Sequence, residues 1–250
     1  MGGLQEWLSA VLLVSLRLIP MLAFSPPFTL VRIPGVARLI LSLSLAAWLV
    51  TGHPAQTTGV IQGQSLLAMS ASELIIGIAF ALPLQLAFAA LMTAGRAVDL
   101  QAGYAFAMIA DPASNSQLPL IGMLFAYAAA AVFFTTAGPA DLLALWALSL
   151  DHLPLGSVLG GNALPALTAF TGAIFLMAFG AGGLVLVVLF LIDATIALVS
   201  RTLPQMNVLF LGFQVKTIAT LLILPVAIGG SGALYLRMFR FALETMARLT

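Results

Sequence analysis

The chain has 250 residues, of which 62% are hydrophobic and only 7% are charged. A soluble domain is about 45–50% apolar and about 25% charged, so nine basic and eight acidic residues cannot cover the surface of a soluble globule of this size. The composition therefore argues against a soluble enzyme and against a disordered chain, and it indicates an integral membrane protein.

The charged and metal-binding residues exclude further classes. The net charge is +1 and there is no basic patch, so nucleic-acid binding has no electrostatic support. The absence of cysteine excludes disulfides, thiolate catalysis and cysteine-ligated metals. His53 and His152 are far apart and lie beside prolines in loop-like sequence, so they do not make a metal site by themselves. We expect no cofactor. The first residues lack a positive stretch, so we expect the first apolar segment to remain in the mature protein.

Six apolar segments follow one another along the chain, and a membrane-spanning helix needs about 20 such residues. They cover residues 4–24, 39–50, 65–94, 120–137, 162–192 and 208–228. The second is short for a full span, and the fifth continues towards Arg201 and contains glycines, so it predicts one long helix or two broken ones. A short helix over 141–151 and an amphipathic helix over 233–249 complete the prediction.

Glycine, proline and polar residues separate these segments, and residues 51–64, 101–119 and 152–161 read as loops. Strand-like alternation is absent, and backbone polar groups in lipid must be satisfied within a helix or a closed barrel. The sequence therefore predicts an all-α, polytopic membrane helical bundle. We expect a single domain over residues 1–250.

Four charged residues lie inside or at the edge of apolar segments: Arg17, Glu73, Asp193 and Lys216. Each costs about 2.5–3.5 kcal/mol to place in the middle of a bilayer. Either they pair inside the protein, or the segments are not simple lipid-facing spans. The uneven segment lengths favour the second alternative, in which partner subunits shield the charges.

Three polar features allow both an ordinary and a functional interpretation. Residues 111–117, which follow the glycine, aromatic and methionine residues of 103–108, are either an exposed turn or an adaptable plug. Residues 204–207 are either a helix-to-helix turn or a polar cluster in an assembly. Arg96 and Asp99 share a helix face and are predicted to form a local surface or interface pair rather than a proton relay.

No catalytic or nucleotide-binding pattern is visible. The glycines at 180–183 lack the Lys-Ser/Thr partner of a phosphate loop, and neither a Ser/His/Asp set nor a His-Glu-x-x-His motif occurs. A small-solute or ion transporter that uses Glu73 or Asp193 as a relay remains an alternative at this point.

The ordered set of motifs resembles the FliR family, flagellar type III export-gate proteins related to the T component of type III secretion. The stretches that carry the resemblance are residues 17–20, 25–27, 33–34 and 38; residues 73–77; residues 103–105, 111–112 and 114–119; and residues 204–208 and 212–216. Their order and spacing agree over nearly the whole chain.

The resemblance implies a structural and transport role rather than catalysis. Such a chain would form helical hairpins within a hetero-oligomeric export gate, together with P-type and Q-type membrane proteins and near a B-type switch protein. Unfolded export substrates would pass through its pore. The location would be the bacterial inner membrane, within the flagellar basal body. The T component of a virulence injectisome is the alternative within the same resemblance, and a solute transporter is the more distant one.

The resemblance also implies roles for particular residues. The residues of the expected pore plug are Met108, Asp111, Pro112, Ser114, Asn115, Ser116, Gln117 and Pro119. The residues expected at buried polar or inter-subunit contacts are Arg17, Glu73, Asp193, Arg201, Gln205, Asn207 and Lys216.

Overall fold

A computed structural model describes residues 2–30, 33–60, 65–104, 119–202 and 208–249. Within these ranges the chain forms α-helices, one short 3₁₀ turn at Thr58–Val60 and no strand, which confirms the all-α prediction. The helices are α1 (Gly2–Phe24), α2 (Pro26–Leu30), α3 (Gly35–Gly52), α4 (Leu66–Ala102), α5 (Leu120–Thr135), α6 (Gly138–His152), α7 (Ala163–Thr202), α8 (Val208–Gly230) and α9 (Gly232–Ala247).

Two helices, α3 and α4, are longer than their apolar segments predict, whereas α7 follows the prediction of one long helix. α3 begins at Gly35, directly after Pro34, and has 18 residues, so the second segment is not short. α4 continues to Ala102 because its polar last turns are held by the side chains described below. α7 is one helix of 40 residues. Its glycines do not break it, and one of them, Gly182, packs closely on Val98 and on the backbone of Ala94.

Five of the described helices are long and apolar enough to cross a membrane: α1, α3, α4, α7 and α8. Counting the consecutive helices α5 and α6 as one broken span raises the number to six, in agreement with the prediction of about six. At 1.5 Å per residue, α7 is about 60 Å long, twice the thickness of a bilayer core of about 30 Å. The protein is a multi-pass membrane protein.

The chain divides into two compact units. The first comprises Met1–Leu86, Phe133–Gly172 and Phe239–Thr250, and the second comprises Ala87–Val132 and Ala173–Met238. The single-domain assignment of residues 1–250 stays a prediction.

In the first unit α1 packs along α3. Arg38, in the first turn of α3, donates from Nε to the Ile33 carbonyl oxygen (3.1 Å) and from Nη1 to the Ala23 carbonyl oxygen. These bonds tie the start of α3 to the end of α1. The core contains a cluster of phenylalanines, in which the ring of Phe133 meets those of Phe28 and Phe239 edge-on at centroid distances of 6.4 and 5.4 Å.

In the second unit small residues allow close helix packing. Ala87, Ala90, Ala94 and Val98 of α4 are fully buried. Gly95 lies against the backbone of Gly122 in α5, where a Cβ at either position would overlap the other helix. Small side chains are favoured at helix contacts in membranes for this reason.

Candidate functional site

Arg17 and Glu73 form an ion pair in the centre of the first unit. Arg17 donates from Nε to Glu73 Oε2 at 2.7 Å and from Nη2 to Glu73 Oε1 at 3.0 Å. Both side chains are completely buried. This is the two-pronged arrangement of a guanidinium on a carboxylate, which is stronger than a single contact. It places two full charges where water does not reach them.

The remaining N–H groups of Arg17 bind the end of α6. Nη1 donates to the carbonyl oxygen and to the hydroxyl of Ser149, both at 3.1 Å, and Nη2 donates to the carbonyl oxygen of Leu153 at 2.9 Å. Arginine has five N–H donors, and all five are therefore used. The last carbonyls of a helix have no partner within it and carry the negative end of its dipole. The guanidinium places its positive charge at this end of α6 and donates to the Leu153 carbonyl just after it, whereas the Ser149 carbonyl also accepts the backbone N–H of Leu153 at 2.8 Å.

Two glycines make this arrangement possible. Gly77 lies one turn after Glu73, against the backbone of α1, where a Cβ would come within 2.9 Å of the Leu16 carbonyl oxygen. Gly156, in the loop after α6, has φ 82°, a conformation that glycine adopts without steric cost. Its backbone N–H donates to Glu73 Oε1 at 3.0 Å. The loop after α6 is thus bound to the same carboxylate.

This centre holds helices together and offers nothing to a substrate. Both oxygens of Glu73 accept hydrogen bonds, and the donors of Arg17 are saturated. A proton relay needs a group that can exchange its proton with a neighbouring site or water, and both members of this pair are completely buried. The transporter interpretation receives no support here.

A second polar centre joins three helices of the second unit. Lys216 of α8 forms an ion pair with Asp193 of α7 and donates to the Gln101 carbonyl oxygen in the last turn of α4 at 3.2 Å. The side chains are partly open, with 19% of Lys216 and 42% of Asp193 exposed. Tyr104 lies just beyond α4, and burial raises the pKa of its phenol, opposed by a hydrogen bond with the Thr220 side chain.

The four charges in apolar segments therefore follow the first of the two alternatives. Arg17 binds Glu73, and Lys216 binds Asp193, each within the chain. Arg17 and Glu73 are completely buried among residues of this chain. Asp193 and Lys216 keep exposed surface.

The predicted pair between Arg96 and Asp99 is wrong, because no ion pair forms between the two residues. Arg96 is exposed, whereas the buried carboxylate of Asp99 accepts the backbone N–H of Ile121, with both oxygens 3.2 Å from the nitrogen. A carboxylate at the first turn of α5 satisfies a free N–H and the positive end of the helix. The end of α4 is thereby bonded to the start of α5.

The other residues expected to matter lie apart from these centres or outside the described ranges. Arg201 is exposed in the last turn of α7, and Pro119 is buried directly before α5. The following residues lie outside the described ranges: Met108, Asp111, Pro112, Ser114, Asn115, Ser116, Gln117, Gln205 and Asn207.

Sequence analysis missed the partners that complete both centres. The carbonyl groups of Leu153 and Gln101 carry no signature in the side-chain sequence. Two partners could have been noticed in the sequence. Ser149 is a small polar residue in an apolar helix, and Gly156 is a glycine in the loop that follows. In the described part of the chain no three histidine, aspartate or glutamate side chains are grouped to hold a metal ion.

Comparison with known proteins decides the family. The model of bacterial export proteins, family 1, matches residues 8–242. The chain belongs to this family. The matched region contains both polar centres, from Arg17 to Lys216, and the resemblance to FliR proteins stated above is confirmed.

Individual relatives agree with the family assignment. The flagellar biosynthetic protein FliR of Bacillus subtilis is 27% identical, over 100% of this chain and 97% of its own length. That of Escherichia coli is 28% identical, over 83% and 80% respectively. The Yop proteins translocation protein T of Yersinia pestis is 28% identical, over 72% of this chain and 70% of its own.

The buried centre of this export protein predicts that substitutions of Arg17 and Glu73 have strongly non-additive effects on the free energy of unfolding. Arg17→Leu leaves a carboxylate buried without its partner, which we expect to cost about 3–5 kcal/mol. The double variant Arg17→Leu/Glu73→Leu removes the orphaned charge and should be more stable than Arg17→Leu alone. The measurement is the thermal unfolding midpoint in detergent.

Arg248→Leu is the matched control, because Arg248 is an exposed arginine of the same unit and its loss should leave the midpoint almost unchanged. A double variant no more stable than Arg17→Leu would contradict the role assigned to the pair.

The second centre predicts a charge-dependent effect at Lys216. Lys216→Glu places two carboxylates together and removes the bond to Gln101, so we expect a loss of roughly 1–3 kcal/mol in the same assay. Adding Asp193→Lys restores opposite charges and should recover part of the loss. Arg237→Glu makes the same charge change at an exposed residue of the same unit. If it destabilises as much as Lys216→Glu, the ion pair has no special role.

Proposed function

We propose that this protein is a core subunit of a flagellar type III protein export gate and has no enzymatic activity of its own. The observation that carries the proposal is the similarity to flagellar FliR proteins, which in the Bacillus subtilis relative extends over the whole chain. P-type and Q-type membrane proteins form the pore with it, and a B-type switch protein lies nearby. Unfolded export substrates pass through the assembly. It resides in the bacterial inner membrane, within the flagellar basal body.

The distribution of exposed and buried groups supports an assembly role. The long helices α7 and α8 expose large apolar side chains such as Leu198, Leu222 and Val226. Among these apolar surfaces Asp193 and Lys216 keep part of their surface open, which would be costly against hydrocarbon. Contact with partner subunits would cover them, and we extend this inter-subunit role to Arg201, Gln205 and Asn207.

We assign the plug of the pore to residues 108–119. The described residues on either side support the assignment, because both ends of this segment are attached to the helices. Tyr104 is half-buried, and its backbone N–H donates to the Asp99 carbonyl oxygen at 3.0 Å. Pro119 is buried, and Asp99 bonds α4 to the first turn of α5. Anchored ends would let such a segment close a pore without loosening the helices around it.

Co-purification tests the proposed function. The tagged chain should bring down two small hydrophobic membrane proteins of the P and Q types, and deletion of its gene should abolish motility and flagella. Re-expression of the chain restores them and serves as the control. Normal flagellation after deletion, or a chain that is stable, solitary and surrounded by lipid, would refute the proposal.

The plug assignment predicts an ion leak. Removal of residues 108–118 should raise the ion conductance of the assembled gate while assembly with the partners survives, because Pro119 and the helix ends stay in place. Conductance is measured across bilayers that contain the assembled complex. Replacement of the same residues by a Gly/Ser linker of equal length controls for the shortened connection. Unchanged conductance in an intact deleted complex would contradict the assignment.

The T component of a virulence injectisome is the second candidate. The relative that favours it is the Yop proteins translocation protein T of Yersinia pestis. Flagellar relatives match more of this chain, which places the flagellar system first. The genes next to that of this protein distinguish the two systems, since flagellar hook and filament genes accompany one of them and injectisome needle genes the other.

A further inference from the structure

An open groove runs between α6 and α9 in the first unit, with a cavity volume of about 500 Å³. Its walls come from the same spacing on both helices. On α6 the lining positions are 141, 144, 145 and 148, and on α9 they are 240, 243, 244 and 247. This i, i+3, i+4, i+7 spacing selects one face of a helix over about two turns.

The floor of the groove is apolar and its rim is charged. Ala144 and Leu148 of α6 are exposed, and Leu243 of α9 lies at the bottom, nearly buried. The charged groups are Asp141 on one helix and Arg240 and Glu244 on the other, all three exposed. The rim therefore carries two carboxylates against one guanidinium.

These rim charges differ from the other acidic groups discussed above. Glu73, Asp99 and Asp193 each bind a partner within the chain. In the described ranges neither Asp141 nor Glu244 forms an ion pair within 4 Å, although Arg240 lines the same groove. The groove keeps an excess negative charge beside an exposed apolar floor.

We propose that this groove docks a short amphipathic helix of a partner protein, with apolar side chains on the floor and a basic side chain facing Asp141 and Glu244. Two helices that expose matching faces over two turns offer a third helix the ridges and grooves it needs. The excess of carboxylates selects a basic segment by charge complementarity. An anionic lipid headgroup would meet net repulsion there. The proposal concerns a surface outside both polar centres and does not depend on the export function.

The lack of native cysteine permits a direct test with single-cysteine variants of the full chain in detergent-solubilised membranes. Ala144→Cys places a thiol in the groove. The probe is a synthetic amphipathic peptide of about four turns with a leucine stripe, two flanking lysines and a maleimide, and its isomer has glutamates in place of the lysines. We expect the lysine probe to label Ala144→Cys about fivefold faster than the glutamate probe.

Two comparisons separate the groove from general attraction of a basic peptide to the micelle. Asn162→Cys lies on an exposed loop of the same unit and should react equally with both probes. Adding Asp141→Lys and Glu244→Lys to Ala144→Cys should reverse the preference. The neutral pair Asp141→Asn and Glu244→Gln, at the same exposed positions, should abolish the preference and serves if the lysine variant does not accumulate.

Three results would overturn the proposal. They are equal labelling of Ala144→Cys by the two probes, an equal preference at Asn162→Cys, and a preference that survives neutralisation of Asp141 and Glu244. Each would show that the carboxylates of the rim do not select a basic helix, and that lipid or detergent is the ordinary occupant of the groove.

Discussion

A charge can be buried among apolar helices only if every hydrogen-bonding group it carries finds a partner. Arg17 meets this condition completely, since its five N–H groups bind Glu73, Ser149 and the Leu153 carbonyl. The requirement fixes the relative positions of α1, α4 and the end of α6, because none can move without leaving a donor or an acceptor unpaired. The pair therefore fixes the positions of these helices more than it adds to the net stability of the fold.

α4 contains the same arrangement of a glycine and a carboxylate twice, once in each unit. Glu73 and Gly77 are four residues apart and share one face, and so do Gly95 and Asp99. In each case the glycine allows a neighbouring backbone to approach, and the carboxylate binds across the contact. Gly77 faces the backbone of α1 beside Arg17, and Gly95 faces Gly122 beside the N–H of Ile121 that Asp99 accepts. A larger residue at either glycine would move the acid away from its partner.

The two centres also suit the proposed role in export. A gate must hold its helices in place while chains pass, and the buried pair is well suited to a rigid frame. The second centre, with Lys216, Asp193 and Gln101, lies on helices that keep much apolar surface exposed. It therefore combines a fixed internal contact with an open side, as a subunit in a larger assembly requires. Membership in the bacterial export proteins agrees with this division.

Much of this protein follows from the sequence alone. Sustained apolar runs with few charges determine the all-α membrane class, because only helices satisfy the backbone over such lengths in lipid. The ordered motifs determine the family, and the cost of burial marks Arg17, Glu73, Asp193 and Lys216 as residues that need partners. These properties depend on composition, local spacing and ordered motifs, all of which can be read along the chain.

Only the tertiary structure decided which partners these residues have. Composition cannot distinguish pairing within the chain from shielding by other subunits, and local spacing suggested Arg96 for Asp99, whose carboxylate instead binds the N–H of Ile121. The partners of Arg17 include carbonyl groups more than 130 positions away, and every residue carries such a carbonyl. The choice among them depends on where helix ends and glycines bring backbones together, which is a property of packing rather than of sequence pattern.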